Sequence, residues 1–131
     1  MAAASSSDGG FTLVEVMVSI VILMVGLMGL LQAVNLSIEH NMRNTLRNEG
    51  ASVADSALAK ELSKGYNNVS TSTYNYSVNR VVMNSIQKSY SVARTGQAVS
   101  TSKMVNFRVS WRYKLARYDV NVGSVSSARP Q

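Results

Sequence analysis

The chain has 131 residues, of which 46% are hydrophobic and only 15% are charged, and its formal net charge is +6. Soluble domains usually contain about 25% charged residues, so a chain with room for one domain and this composition is not an ordinary globular protein. It has no cysteine, which excludes disulfides, a thiolate nucleophile and cysteine-ligated metals. The single histidine is His40, and the seven acidic residues are scattered without the spacing of a general acid/base pair. The sequence therefore predicts no enzyme, no cofactor and no metal site.

The first predicted element is an apolar helix over residues 11–31, which read FTLVEVMVSIVILMVGLMGLL with Glu15 as the only charge. A helix of that length spans roughly 31 Å, about the thickness of a bilayer core. A buried core helix is disfavoured because a domain this small cannot cover a helix that is apolar on every side. A cleaved secretory signal is disfavoured because the run is longer than the usual apolar region and no small-x-small site follows it. The run predicts a membrane helix.

The residues at the start of this run carry a family resemblance. A small, polar segment, MAAASSSDGG, precedes Gly10-Phe11-Thr12-Leu13-Val14-Glu15, and this junction resembles the processing motif of type IV pilins and type II secretion pseudopilins. The continuation through Gly26-Leu27-Met28-Gly29-Leu30 is similar to the PilV-type minor pilins. The resemblance covers residues 10–32.

The resemblance implies a set of roles for the residues at this junction. Residues 1–10 would be a leader that a prepilin peptidase removes after Gly10, and the same enzyme would methylate the new amine of Phe11. Glu15 would pair with the amine of a neighbouring subunit's Phe11 during assembly. A lone acid in such a run is a functional hypothesis in any case, since a carboxylate in hydrocarbon costs roughly 2.5–3.5 kcal/mol. The rival reading places Glu15 close enough to the membrane face to reach water.

The next predicted element, over residues 32–64, continues the helix as an amphipathic spine. Apolar residues recur at spacings of three, four or seven, at Leu31, Val34, Ile38, Met42, Leu46, Val53 and Ala57. Gly50 is the one weak point in this helix, and Gly65 is the expected stop. The whole helix is expected from about residue 12 to about residue 63.

Beyond Gly65 the apolar period changes to two, which predicts a head of three or four antiparallel strands over residues 65–123. The strands are expected at 74–82, 86–93, 105–115 and 118–122, with a turn at 94–97 and a flexible tail at 124–131. The aromatic side chains are expected to pack the sheet against the spine; they are Tyr74, Tyr76, Phe107, Trp111 and Tyr113. The predicted fold class is α+β, the long helix packed on a small antiparallel sheet, which is also the architecture of the pilin family.

Charge is concentrated in the head. After Glu61 there are ten basic residues and one acid, Asp119, a net charge of +9, whereas residues 1–61 carry −3. The basic surface is expected to consist of Arg80, Arg94, Arg108, Arg112, Lys114 and Arg117. Three uses of it remain open: a solvated surface, matching to acidic neighbouring subunits, and contact with DNA or another polyanion.

The resemblance implies a structural function, that of a minor type IV pilin that joins, primes or caps a pilus fibre through its apolar helix. The subunit would first cross the bacterial inner membrane once, with its head in the periplasm. Its partners would be other pilins, the prepilin peptidase and an inner-membrane assembly platform. The alternatives are a type II secretion pseudopilin and a pilus-tip subunit whose basic head binds DNA or another polyanion.

Overall fold

The structure is a computed structural model that describes residues 9–83 and 85–128. It contains one long helix, α1, a short 3-10 helix at Tyr66–Asn68, and four strands. The bounds are Leu13–Leu62 for α1, Tyr74–Val82 for β1, Ile86–Val99 for β2, Ser102–Tyr113 for β3 and Ala116–Ser127 for β4. The chain divides into two compact units, Met1–His40 and Asn41–Gln131, and α1 contributes to both.

The sheet of the second unit is a meander with the strand order β1-β2-β3-β4, and each strand is antiparallel to its neighbour. Alternate side chains of the strands form the core, and α1 covers it with Leu46, Val53 and Ala54, each no more than 3% exposed. From the sheet, the core contains Val82, Tyr90, Val92, Val105, Phe107, Val109 and Trp111. The predicted α+β class is confirmed.

The packed part of the helix is shorter than the predicted spine. Leu31, Val34 and Ile38, which were expected on the packing stripe, are more than half exposed, and the stripe becomes partly buried only at Met42. At the other end α1 stops at Leu62, two turn residues follow, and Gly65 has a positive φ of 75° with a ψ of 162°, a conformation that favours glycine.

Two sequence-based boundaries in the sheet are wrong. Residues 94–97 were predicted to form a turn, but they lie inside β2 and pair with β3, and the chain reverses only at residues 100–101. Residues 124–127 were predicted to be part of a flexible tail, but they belong to β4 and pair with β3. Ala128 follows the strand, and residues 129–131 lie outside the described residues, as do residues 1–8 of the predicted leader.

The glycines that suggested those boundaries have another reason to be glycine. A Cβ on Gly96 would lie 2.8 Å from the backbone Cα of Thr71, and a Cβ on Gly123 would lie 1.8 Å from the side-chain oxygen of Asn106. Glycine inside a strand often marks such a close approach rather than a turn. Sequence alone does not distinguish the two.

Candidate functional site

The start of α1 holds the residues that the sequence singled out. Residues 11–38 are all exposed, and Phe11 and Leu13 are 81% and 79% exposed. The helix is long and apolar enough to cross a membrane, and the apolar stretch is not buried inside the chain. Such a length of exposed apolar side chains requires lipid or other apolar partners.

Gly10 is not needed for any contact within the chain. A Cβ added to Gly10 or to Gly9 would meet no atom within 4 Å among the described neighbours. Neither glycine has a positive φ. The fold would therefore accept a side chain at position 10, and a requirement for glycine would have to come from an external partner.

Thr12 begins the helix as its N-cap. The hydroxyl oxygen of Thr12 accepts a hydrogen bond from the backbone N–H of Glu15 at 3.3 Å, and its carbonyl accepts from Glu15 and Val16. Thr12 and Glu15 have the spacing of a capping box, in which the acid stands three residues after the cap. The threonine-x-x-glutamate pattern at residues 12–15 is the sequence signal that predicts this cap.

Glu15 is the one charged group of the exposed apolar stretch. Its carbonyl accepts the hydroxyl hydrogen of Ser19 at 2.8 Å, so that hydroxyl is satisfied within the helix. No basic group in residues 9–83 and 85–128 forms an ion pair with the Glu15 carboxylate. The carboxylate is in the first turn, where the helix dipole favours a negative charge. It is therefore placed both to stabilise the helix start and to accept a cation from outside the chain.

The six basic residues predicted to form one surface are divided by the structure. Arg108, Arg112 and Arg117 lie together on the sheet face that points away from the core. Arg80 lies on the other face, where its Nε is 3.6 Å from the Glu49 carboxylate. Lys114 lies in the turn between β3 and β4.

Arg94 is not part of any surface, so its assignment to the basic surface is wrong. Its side chain is fully buried, and its Nη2 is 2.8 Å from Oε1 of Glu61, which is itself only 3% exposed. The guanidinium also donates to the backbone carbonyls of Ser70 and Ser72. Alternation along β2 places Arg94 on the core side, and only a partner such as Glu61 makes that burial tolerable.

The Glu61 carboxyl is held in its charged form. Burial by itself would raise its pKa, but hydrogen bonds from Lys64, at 2.7 Å, and from Arg94, together with their charges, lower the pKa below its ordinary value. No local pattern indicates this cluster, because Glu61 and Arg94 are 33 residues apart. Among the described residues, no group of three histidine or acidic side chains is arranged to hold a metal ion.

Comparison with known proteins agrees with the geometry at the start of the helix. Residues 5–31 match the family described as the prokaryotic N-terminal methylation motif. No curated protein and no solved structure gave a significant match. The matched motif and the exposed apolar helix that follows it support a type IV pilin-like protein of the prepilin-processed kind, and they suggest anchoring in a membrane. The motif points to a structural subunit rather than an enzyme.

Proposed function

We propose that this chain is a minor type IV pilin, a low-abundance subunit that joins, primes or caps a pilus fibre. The observation that carries the proposal is the exposed apolar stretch of residues 11–38, which contains a single carboxylate five positions after Gly10. The same stretch serves in two apolar surroundings in turn, the bilayer and the helical core of the fibre. Because apolar surface is covered in both, movement from one to the other costs little.

The proposed partners follow from the two ends of the motif. A prepilin peptidase in the inner membrane removes residues 1–10 and methylates the amine of Phe11. Gly10, where an added Cβ would meet no described residue within 4 Å, presents that enzyme with an unobstructed backbone. An assembly platform then moves the subunit into the fibre, where Glu15 pairs with the amine of a neighbouring pilin. The head is in the periplasm before assembly.

The first test concerns processing. Cleavage after Gly10 leaves 121 of the 131 residues, beginning at Phe11. Mass spectrometry of the membrane-extracted chain is expected to show this species with one added methyl group. Gly10→Val is expected to accumulate as the precursor, because a branched side chain crowds the scissile bond.

Gly9→Val is the matched control, since a Cβ at Gly9 would likewise meet no described residue within 4 Å and Gly9 lies outside the scissile position. We expect it to be processed normally. An unprocessed N-terminus of the wild-type chain in a host with an active prepilin peptidase contradicts the proposal, as does normal processing of Gly10→Val.

A type II secretion pseudopilin is the second candidate, because it has the same kind of N-terminus. The element Gly26-Leu27-Met28-Gly29-Leu30, which is similar to PilV-type minor pilins, favours the pilin. Sheared fibres separate the two functions. A minor pilin is expected in the fibre fraction at a small ratio to the major subunit, whereas a pseudopilin is absent from it and is required for secretion of hydrolases.

A further inference from the structure

The sheet has an outer face, formed by the odd-numbered residues of β1, β2 and β4 and the even-numbered residues of β3, that points away from the core. Hydroxyl and amide side chains dominate it, among them Ser77, Ser91, Asn106 and Asn121. Its charged residues are Arg108, Arg112, Arg117 and Asp119, and it contains no lysine, glutamate or aromatic residue. The exposed face of an antiparallel sheet is ordinarily polar, but cations there are ordinarily balanced by acids.

Among the described residues, no acid forms an ion pair with the arginines of the outer face. Arg112 and Arg117 are directly opposite each other on β3 and β4, an arrangement of like charges that destabilises a sheet. Arg112 makes no ion pair or side-chain hydrogen bond within the described residues, and the single acid, Asp119, pairs across the sheet with Ser110 instead. The opposed pair therefore contributes no stability to the sheet and leaves two positive charges available to a ligand.

Neutral side chains hold the other two guanidinium groups in place. Arg117 donates from Nη2 to the hydroxyl oxygen of Ser110 at 3.2 Å, and Arg108 donates from Nε to the side-chain oxygen of Asn121 at 3.1 Å. A guanidinium has five N–H donors, so each keeps several for a ligand. The two groups are thus oriented without losing their charge.

Two neighbouring clefts lie along these arginines. One of about 500 Å³ is lined by outer-face residues that include Ser91, Ser110, Arg112 and Arg117, and also by Lys88 and Trp111 from the other face. One of about 380 Å³ is lined by Thr95, Asn106, Arg108 and Asn121, together with Ala93. Arg108 and Arg112 are four residues apart on one strand, which separates them by roughly 13 Å. The surface therefore presents an opposed pair of arginines and a third arginine roughly 13 Å along the strand, among many uncharged hydrogen-bonding groups.

We propose that the outer face binds an acidic polysaccharide, a polymer of sugars that carries carboxylates at intervals. Guanidinium groups bind carboxylates through paired hydrogen bonds, and the hydroxyl and amide side chains match the sugar hydroxyls. Duplex DNA fits less well, because it carries a charge about every 1.7 Å and the face has no projecting element to enter a groove. Single-stranded nucleic acid requires exposed aromatic rings, and the outer face has none.

The experiment uses the full chain in detergent micelles and measures its affinity for polygalacturonate oligomers. The methyl ester of the same oligomers tests the need for charge, and a short DNA duplex tests the rival polyanion. We expect binding of the free acid but not of its ester, and weaker binding of the duplex. Arg112→Gln with Arg117→Gln is expected to reduce the affinity for the acid by roughly tenfold or more.

The control removes two positive charges elsewhere on the same unit, with Arg47→Gln and Lys60→Gln in exposed positions of α1. This variant is expected to retain binding. The outer-face variant is expected to melt no lower than wild type, because it removes the opposed charges, so lost binding cannot be ascribed to unfolding. Equal binding of the ester, tighter binding of the duplex, an equal loss in the control, or unchanged binding by the outer-face variant overturns the proposal.

Discussion

Trp111 and Gly50 depend on each other. The indole of Trp111 is 5% exposed and lies between the rings of Tyr90 and Tyr118, at centroid distances of 5.7 and 6.1 Å. A Cβ on Gly50 would lie 2.6 Å from Cζ3 of that indole. Glycine at this point of a helix costs about 1 kcal/mol relative to alanine. Here it allows the largest side chain of the head to reach the helix backbone.

This contact predicts that the effect of Gly50→Ala on stability changes sign with the residue at position 111. Gly50→Ala is expected to destabilise the chain by roughly 1–3 kcal/mol despite the better helix propensity, because the methyl group overlaps the six-membered ring of the indole. In a Trp111→Phe background that ring is gone, so Gly50→Ala is expected to be neutral or stabilising. Denaturant unfolding of the four chains in detergent measures the coupling. Additive effects of the two substitutions contradict the contact.

Tyr90 lies in a part of the core from which solvent is excluded. Its side chain is fully buried, and its hydroxyl donates to the carbonyl of Leu46 at 3.2 Å. Burial and the nearby charge of Glu49 raise the pKa of Tyr90 to about 12. The hydroxyl therefore remains a neutral donor throughout the physiological pH range.

At the scale of elements, hydrogen bonds from side chains of β2 and β3 hold the connection between α1 and β1 against the sheet. Arg94 of β2 donates to the carbonyls of Ser70 and Ser72. Lys103 of β3 donates to the carbonyls of Tyr66 and Val69, both at 2.9 Å. The backbone of this polar segment thus finds its partners inside the domain rather than in water.

The buried ion pair makes stability depend on pH. Because the folded-state pKa of Glu61 is lowered, its contribution to stability is complete above its ordinary value of 4.5 and is lost as the pH falls through the lowered value. Glu61→Gln leaves Arg94 buried without a counter-charge and is expected to cost roughly 3–5 kcal/mol at neutral pH. The difference in melting temperature between the two chains should shrink below pH 4.5.

Asp55→Asn is the control for this experiment, since Asp55 lies exposed on the same helix. We expect its stability and pH dependence to match those of wild type. A gap between wild type and Glu61→Gln that stays constant as the pH falls from neutral to the acid range contradicts a charged Glu61 in the folded state.

The contacts of Lys103 predict a local effect on the connecting segment. The backbone N–H groups of Asn68 and Val69 both donate to the carbonyl of Gly65, at 3.1 and 3.2 Å. Lys103→Met removes the cation that holds the neighbouring carbonyls, so these two amides are expected to exchange with solvent roughly tenfold faster. Lys88→Met, which removes a lysine without such contacts, should leave them unchanged. Equal protection in the two variants contradicts the anchoring role.

At the scale of the whole molecule, the exposed apolar stretch and its single acid require partners. Glu15 has two candidate roles in this setting, as the acid of a helix cap and as the acceptor of a neighbouring subunit's amine. Glutamine at position 15 keeps the capping geometry but loses the charge, whereas leucine loses both. The pair of variants therefore separates the two roles.

If charge pairing drives assembly, Glu15→Gln and Glu15→Leu are both expected to insert and to be cleaved, yet to be nearly absent from sheared fibres. Attraction between opposite charges strengthens in a medium of low dielectric constant, so the loss should be large. The comparison of fibre and membrane fractions for the three chains measures it. Wild-type incorporation of Glu15→Gln limits Glu15 to the helix cap.

Local patterns in the sequence were sufficient for the apolar helix, its start, the Gly65 stop and the α+β class, because each depends on residues that are neighbours along the chain. They also placed Trp111 on the buried face, since alternation along a strand fixes which side a residue occupies. These local patterns did not predict which residues pack against one another. Gly50 was predicted as a weak point of the helix. Its contact with Trp111 joins two residues that are far apart along the chain, so no local pattern indicates it.

The sequence by itself determined the motif at Gly10 to Glu15 and the length of the apolar segment that follows it, because both depend only on consecutive residues. Only the tertiary structure decided where each cation lies. Arg94 is buried against Glu61, whereas Arg108, Arg112 and Arg117 share the outer face. Composition alone does not distinguish these four arginines. Strand register sets those positions, and register depends on pairing between segments that are distant along the chain.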